Sequence, residues 1–554
     1  MTGFPPVEDW WRLASAAVWL PTSREMAALD RKAVSSGAIC ERALIENAGR
    51  EVAKLLHARW PEGPVLALAG SGHNGADALV ALRCLHAWGR RVRAVRCGSR
   101  APAPDVLAGW DLSLEDPGSL SEHLSDSAVV IDGLLGTGLE AAPREPTAAL
   151  ISQVNASGLP IVAVDGPSGA DFTTGRVPGA CVRASLTVSL GWPNLGLLQF
   201  PARRYCGDLL AVEIGFPPDR DEAGSEEIRG APAAARAITA RWVAESMLPR
   251  RTSEAHKGRA GYLTLVAGQE GMAGAAVLAS RAAVRGGVGI LRVVSDPANR
   301  EILQGAVPEA IFVPWDDSSA VAESVAWAHA VVAGPGMGRG PARRALVERI
   351  LECRGARPAL LDADALNAWE GAPEELAKAV GGKALLTPHP GELARLIESP
   401  IQSIQADRTA AARQAAVNLG CTVLLKGAPS LVAEEGHILR VATVLTPALA
   451  AGGTGDVLSG LAGAYLAAGS SPLDAASAAL LISGLAALSA PGAIGHSSAD
   501  LPESIPRVRA ELDRLVQRPS ISVLFASPCE VDGSGWPGRT EPSSAEGRTH
   551  ENAV

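Results

Sequence analysis

Several short segments combine residue types that can move a phosphoryl group or a proton. Ala450-Ala451-Gly452-Gly453-Thr454-Gly455-Asp456 opens a long helix of small residues. Consecutive backbone N–H groups at such a start form an anion hole for a transferring phosphoryl group, and Asp456 is placed to take a proton from an attacking hydroxyl. The plainer alternative is a flexible loop ending in an N-cap Asp. Lys426-Gly427-Ala428 follows the apolar run Thr422–Leu425, where a strand-end Lys can reach a nucleotide phosphate as a point charge or simply be a solvated cation. Thr387-Pro388-His389-Pro390-Gly391-Glu392 fixes a His between two prolines. A structural role for that His is at least as consistent, and with no second His at metal-ligand spacing a zinc site is rejected. Gly334-Pro335-Gly336-Met337-Gly338 and Leu361-Asp362-Ala363-Asp364-Ala365-Leu366-Asn367 read as further strand-end turns, which plain turn chemistry explains equally well.

In the amino-terminal half, Gly70-Ser71-Gly72-His73-Asn74-Gly75 fits GxGxxG between a strand and the helix Ala76–Trp88. Glycines there let backbone approach a phosphate, although a tight turn accounts for a lone GxGxxG as readily. An NAD dehydrogenase would carry an acidic residue at the end of its second strand, and Arg91–Ser99 reads RVRAVRCGS, which weakens that reading. Two more strand ends are polar: Asp132-Gly133-Leu134-Leu135-Gly136-Thr137-Gly138, and Asp165-Gly166-Pro167-Ser168-Gly169-Ala170-Asp171. The carboxyl ends of parallel strands share one edge, so Asn74, Asp132, Asp165 and Ser168 are expected to converge on a crevice. Each Asp alone reads as an N-cap; together at successive strand ends they read as a site.

The elements that must position these residues are short apolar runs alternating with helix-length segments. Pro64–Gly70, Arg91–Cys97, Ala128–Asp132, Pro160–Asp165 and Ala184–Leu190 form one series. Tyr262–Ala267, Gly289–Val294, Ala330–Ala333, Ala359–Asp362, Ala384–Leu386 and Thr422–Lys426 form a second. Both are the signature of α/β units around a parallel sheet. The expected division is a domain over 14–217, a Pro-rich and acidic linker over 218–237, a second domain over 238–517 and a disordered tail over 518–554.

A chain of 554 residues, 47% hydrophobic, is long enough for two cores. A net charge of −9 argues against a nucleic-acid surface, though backbone amides can still hold compact anions. The eight cysteines are scattered without a CxxC pair and read as reduced thiols. Met1–Leu13 carries Glu8 and Asp9 instead of a basic start, so a cytoplasmic location is expected, with no membrane partner. Ala475–Gly495 is uncharged but rich in Ala, Ser and Gly and interrupted by Pro491, which favours a buried helix over a membrane span.

Thr22–Leu56 (TSREMAALDRKAVSSGAICERALIENAGREVAKLL), with the three amino-terminal loops, resembles the NAD(P)H-hydrate epimerase family. The resemblance implies a Rossmann-like fold and a K+ ion held by Asn74, Asp132 and Ser168. It implies contact with hydrated cofactor at His73, Asn74, Gly75, Ala76 and Asp77, at Gly136, Thr137, Gly138, Leu139, Glu140, Ala141 and Ala142, and at Asp165, the implied acid/base residue. The chain departs from the family's Asn-Asn-Gly-Gly-Asp loop by His73 and Ala76, and its Gly136 loop lacks a Lys.

GGTGD itself resembles the active-site motif of the ribokinase-like superfamily. With His256-Lys257-Gly258 and Gly271-Met272-Ala273-Gly274-Ala275-Ala276, the carboxyl-terminal motifs from His256 to Leu488 resemble, in order, the NAD(P)H-hydrate dehydratase family. This implies a ribokinase-like domain in which Ala275, Gly336, His389 and Asp456 line the hydrated-cofactor site. Lys426, Gly427, Ala428, Pro429, Ser430 and Gly455 would contact the nucleotide, with Mg2+ and ADP consumed to drive dehydration. The substrates are then small molecules, and a homo-oligomer is the expected assembly. Two rivals share parts of this evidence: a small-molecule kinase fused to a Rossmann domain, and an amino-terminal half that binds without catalysing.

Overall fold

A computed structural model describes residues 18–98, 105–139, 141–216, 233–251, 253–254, 256–489, 495–515 and 523–527. The apolar runs form strands, and the central ones, such as Val65–Ala69, Val129–Gly133, Ala330–Ala333 and Ala384–Leu386, are buried along their length, as parallel strands covered on both faces must be. In the amino-terminal half the strands are β1 (Val65–Ala69), β2 (Val92–Arg96), β3 (Leu114–Glu115), β4 (Val129–Gly133), β5 (Ile161–Val164), β6 (Leu186–Leu190) and β7 (Asp208–Val212). The carboxyl-terminal half adds β8 (Ala235–Ile238), β9 (Tyr262–Val266), β10 (Ile290–Ser295), β11 (Ala310–Pro314), β12 (Ala330–Ala333), β13 (Ala359–Leu361) and β14 (Ala384–Leu386). It continues with β15 (Thr422–Leu425), β16 (Leu431–Ala433), β17 (Leu439–Ala442) and β18 (Val523–Ser527).

The first sheet runs β18-β7-β6-β5-β4-β1-β2-β3, parallel except for β18. Read from β3, its order is that of a dinucleotide-binding α/β fold, and the order reverses beside β1 and β4. Loops at such a switch point splay apart and leave a crevice. The second sheet runs β11-β10-β9-β12-β13-β14-β15-β16-β17-β8, with β16 antiparallel to both neighbours. Its switch point lies between β9 and β12, and the turns after β12, β13, β14 and β15 open on the same edge.

Helix Thr454–Ala467 reaches that edge because its small residues let it sit against other backbone. A Cβ at Gly460 would lie 2.0 Å from the carbonyl oxygen of Ala279 in helix Ala273–Gly286, and one at Gly463 would lie 2.4 Å from Val332 on β12. The uncharged run from Ala475 lies in the buried helix Pro472–Leu488, and among the described residues no helix is long and apolar enough to cross a membrane.

Two places differ from the sequence reading. The segment expected as a linker over 218–237 ends in β8, which pairs with β17 and bridges to Trp19. The Pro/Ala composition before it hides this strand, and 217–232 lie outside the described residues. Within the expected tail, Val523–Ser527 forms β18 on the edge of the first sheet. Five consecutive strand-length residues in VLFAS are enough to pair there despite the polar surroundings.

Each half keeps a core of its own, and a further cluster spans both. Val18 and Leu20 are fully buried with Phe172 and Leu197 of the first half and with Ala235, Val331 and Leu386 of the second. Backbone bonds Leu20 N to Ala235 O and Ala237 N to Val18 O, both 2.9 Å, stitch the halves together. Thr22 and Glu25 form a capping box that starts helix Ser23–Ser35, and Glu25 also accepts from Ala234 N at 3.0 Å.

Candidate active sites

The crevice at the first switch point is a cavity of about 940 Å³. Glycines shape it where backbone must pass close. A Cβ at Gly70 would lie 2.0 Å from Leu134 O, and one at Gly75 would lie 2.1 Å from Gly70 O, so strand end, loop and helix start can approach only without side chains. Gly72 faces open space. Asn74 and Asp77, from the start of helix His73–Ala87, line the cavity with Gly136, Thr137, Gly138 and Asp165. The rest of its wall comes from helices Ser23–Ser35 and Glu41–Arg59, including Met26, Asp30 and Glu41.

Asp165 stands at φ 64°, and Gly166 N donates to Val164 O at 2.7 Å across it. That three-residue turn is the strained hand of the γ-turn, and it aims the Asp165 carboxyl off the strand end into the cavity. Burial pushes Asp165 up to about 7 against the bond from Leu190 N, and the charge of Asp30 adds to the rise. Burial also holds Asp77 well above the usual carboxylate range, with Asp165 and Asp30 contributing.

Below the cavity floor, Asp132 is fully buried and accepts from Ser168 Oγ at 2.6 Å and Ser168 N at 2.9 Å. Leu135 N donates to Ser168 Oγ at 2.9 Å, and Asn74 Nδ2 donates to Leu135 O at 2.9 Å. Asn74, Asp132 and Ser168 are therefore one group joined through Leu135, and of the three only Asn74 lines the cavity, where convergence of all of them on the crevice was expected. Burial lifts Asp132 to about 6 despite the bonds from Ser168 and Leu134.

The second site is built on Asp362, which directly follows β13 and is 1% exposed. One of its oxygens lies 2.7 Å from Lys426 Nζ, and the other accepts from Ser459 Oγ at 2.7 Å. Lys426 Nζ is also 3.8 Å from Glu392 Oε2. Burial alone would depress Lys426, but Asp362, Glu392 and Asp456 outweigh it and raise the ammonium. Helix Thr454–Ala467 begins at Gly453 in the left-handed region with no side-chain cap; Thr454 N turns back to Ala451 O at 3.5 Å, and among the described residues nothing accepts from Gly455 N or Asp456 N, which are open to an anion. A Cβ at Gly455 would lie 3.6 Å from Lys426 Nζ. Burial raises Asp456 to about 7, Asp362 and Asp364 add to it, and Lys426 opposes it.

His389 caps helix Pro390–Leu396 with its ring: Nδ1 accepts from Gly391 N at 3.0 Å and Glu392 N at 3.2 Å. Those bonds leave the proton on Nε2, and burial lowers the ring's pKa. Gly336 meets Ala275 so closely that a Cβ there would lie 2.9 Å from that of Ala275. Gly338 N, in the same loop, donates to Asp364 Oδ2 at 2.8 Å, so the loop after β12 joins the turn that carries Asp362. Arg408 braces the loop Lys426–Ser430 by donating to Lys426 O and Pro429 O, each at 3.0 Å.

Residues 263–507 match the family model described as NAD(P)H-hydrate dehydratase, and residues 41–196 match the one described as YjeF-related protein N-terminus. The bifunctional NAD(P)H-hydrate repair enzyme Nnr of Salinibacter ruber is 35% identical over 531 residues, covering 88% of this chain and 96% of that protein. This chain belongs to the bifunctional NAD(P)H-hydrate repair enzyme family. The relative of that name from Gloeobacter violaceus is 39% identical over 445 residues, covering 77% of this chain and 84% of its own. Among solved structures, the ADP/ATP-dependent NAD(P)H-hydrate dehydratase from Bacillus subtilis, co-crystallized with ATP/Mg2+, is 27% identical with a TM-score of 0.43, covering 50% of this chain and 97% of that one.

Within this repair-enzyme fold some expected residues stand apart from the sites. Gly75 and Ala76 are buried in helix–sheet packing and do not line the cavity, because the first turn of helix His73–Ala87 presents Asn74 and Asp77 instead. Leu139, Ala141 and Ala142 lie beyond the part of their loop that forms the wall, and Glu140 is outside the described residues. His73 lines the cavity at its mouth, where Nε2 lies 3.0 Å from Glu41 Oε1. Sequence reasoning missed Asp30, which looks like one more polar residue of an amphipathic helix. It also missed the part played by Asp362, Asp364, Glu392 and Ser459. The paired acids of LDADALN were the available signal, since two carboxylates at a buried strand end seldom serve a turn alone.

Proposed function

We propose that this chain repairs hydrated NADH and NADPH, epimerising the C6 hydrate in the amino-terminal cavity and dehydrating the S epimer at the ribokinase-like carboxyl-terminal site with ADP, to give NAD(P)H, AMP and phosphate. The observation that carries it is the grouping of Asp456, Lys426 and an uncapped helix start on one strand edge. The substrate carries its hydroxyl beside a ring nitrogen, and hydroxide is a poor leaving group. Asp456, half ionised near neutrality, takes the hydroxyl proton as the oxygen attacks the terminal phosphoryl and AMP departs. Lys426 and the helix N–H groups hold that phosphoryl group. The nitrogen lone pair then expels phosphate, and loss of the C5 proton completes the double bond.

Mg2+ fits this site as an ion carried mainly by nucleotide phosphates and water, since both oxygens of Asp362 are already engaged. There it would neutralise phosphate charge. K+ fits the other site: Asn74, Asp132 and Ser168 supply hard oxygens around a fully buried carboxylate that has no Lys or Arg partner among the described residues, once the Asn74 amide, which donates to Leu135 O and Val164 O, is turned. It would supply a fixed positive charge under the cavity floor. The same reading assigns His73, Asp77, Gly136–Gly138 and Asp165 to the hydrated cofactor, and Ala275, Gly336 and His389 to its place in the dehydratase. Division of labour between 14–217 and 238–517, a cytoplasmic location and assembly of identical copies belong to it too.

Hydrated NADH mixed with the chain, ADP and Mg2+ regains absorbance at the reduced-nicotinamide band with one equivalent of phosphate. Asp456→Asn lowers that rate by about 10²–10⁴-fold. A stable phosphorylated product would show a kinase instead, and full activity of Asp456→Asn would remove its role.

A further inference from the structure

The amino-terminal cavity gathers three carboxyl groups from three elements: Asp30 on helix Ser23–Ser35, Asp77 on helix His73–Ala87 and Asp165 after β5. The other charged groups on its wall are Arg31, which is exposed, and His73 and Glu41, which face each other at 3.0 Å. Asp77 is 6% exposed, and among the described residues no group donates a hydrogen bond to its carboxyl or to that of Asp30. Burial raises Asp30 as well, against the pull of His73 and Arg31. Burial and mutual repulsion favour the protonated form at each of the three, so one cavity can hold a protonated carboxyl beside an ionised one.

Epimerisation at C6 needs both. A carboxylic acid on one face protonates the C6 hydroxyl, the C6–O bond breaks, the nitrogen lone pair forms the C6=N1 bond, and water leaves. Water then adds to the other face, a carboxylate there takes its proton, and the π pair returns to nitrogen. One carboxyl loses a proton and the other gains one, with no oxidant or reductant. Asp165 follows the end of β5, and helix Ser23–Ser35 offers Asp30 to the same cavity from a different element.

We propose that Asp30 is the second catalytic carboxyl of the epimerase cavity, working on the face of the hydrated ring opposite Asp165. This rests on the epimerase reading above. The test follows conversion of one purified epimer of hydrated NADH by chromatography, using the full chain with K+ and no nucleotide. Wild type accelerates conversion with a bell-shaped pH profile. Asp30→Asn is expected to lose at least about 100-fold and one limb of the bell, while nucleotide-dependent dehydration of the S epimer is unchanged. Asp30→Glu should recover part of the rate and both limbs, which a purely structural role would not produce. An Asp30→Asn variant with wild-type rate and profile overturns the proposal alone. A wild-type chain that does not accelerate conversion overturns the epimerase reading and the proposal with it.

Discussion

Lys426 Nζ lies 2.7 Å from Asp362 Oδ1, and the other oxygen of that carboxylate accepts a 2.7 Å bond from Ser459 Oγ. One buried carboxylate thus ties the end of β15 to the helix that carries Asp456. A four-carbon ammonium stem has several rotamers, and this bond selects one of them before any nucleotide arrives. Asp362→Asn should raise KM for the nucleotide and lower kcat/KM by roughly 10–100-fold, the scale seen when ligand-orienting contacts are lost. It should also move the acidic limb of the pH–rate profile to lower pH, because the charge of Asp362 helps raise Asp456. Ser459→Ala should move KM the same way by less. Unchanged KM in both variants would show that Lys426 needs no such anchor.

Asp456 links activity to stability with opposite signs. Its folded value of about 7 lies above the ordinary 3.8, so the fold holds the proton more tightly than the unfolded chain does. Stability from this group is complete below the ordinary value and is lost as pH rises through about 4 to 7. Asp456→Asn should therefore raise the thermal midpoint at pH 8 and leave it unchanged at pH 4, while lowering dehydration at pH 8 by about 10²–10⁴-fold. A midpoint at pH 8 equal to or below wild type would contradict this.

The connected group of Asn74, Asp132 and Ser168 predicts a monovalent-cation requirement for one activity only. Replacing K+ by an organic ammonium ion at equal ionic strength should slow epimer conversion about tenfold or more and leave dehydration intact, since a buried carboxylate without its cation disturbs only the nearby floor. Asp132→Asn should remove the dependence. Equal epimerisation rates in both salts would dismiss the ion.

What the sequence disclosed and what it hid divide along physical lines. Lys426, Asp165 and Asp132 were legible because each stands at the end of an apolar run that reads as a buried parallel strand, and strand ends share an edge, whereas Asp456 was legible from the Gly-rich turn that opens its helix. Asp30 and Asp362 were not. Asp30 sits at helical spacing among polar neighbours in ALDRKA, and only the fold turns that face toward Asp165. Asp362 was seen as a turn residue because its partners, Lys426 and Ser459, are distant in the chain. Loop reach also escaped the sequence: Gly136 to Gly138 line the cavity while Leu139, Ala141 and Ala142 do not. Short edge strands such as β8 and β18 carry too few residues to show a period of two.

β18 gives the last prediction. It pairs antiparallel with β7, whose five residues Asp208–Val212 are all buried, and it covers the edge of the first sheet. A chain ending at Leu515 lacks that strand and leaves the backbone groups of β7 open to water or to another chain. Losing two to four ladder bonds at about 1 kcal/mol each should lower the melting of the amino-terminal half by roughly 4–16 °C, given about 2–4 °C per kcal/mol for a domain of this size. The second sheet keeps all its strands, including β8 and its bridge to Trp19, so the dehydratase should melt and turn over as before. Calorimetry with parallel assays of both activities separates the outcomes. Loss confined to the epimerase, with aggregation on warming, is expected. Unchanged melting and unchanged epimerisation would mean that the β7 edge needs no cover.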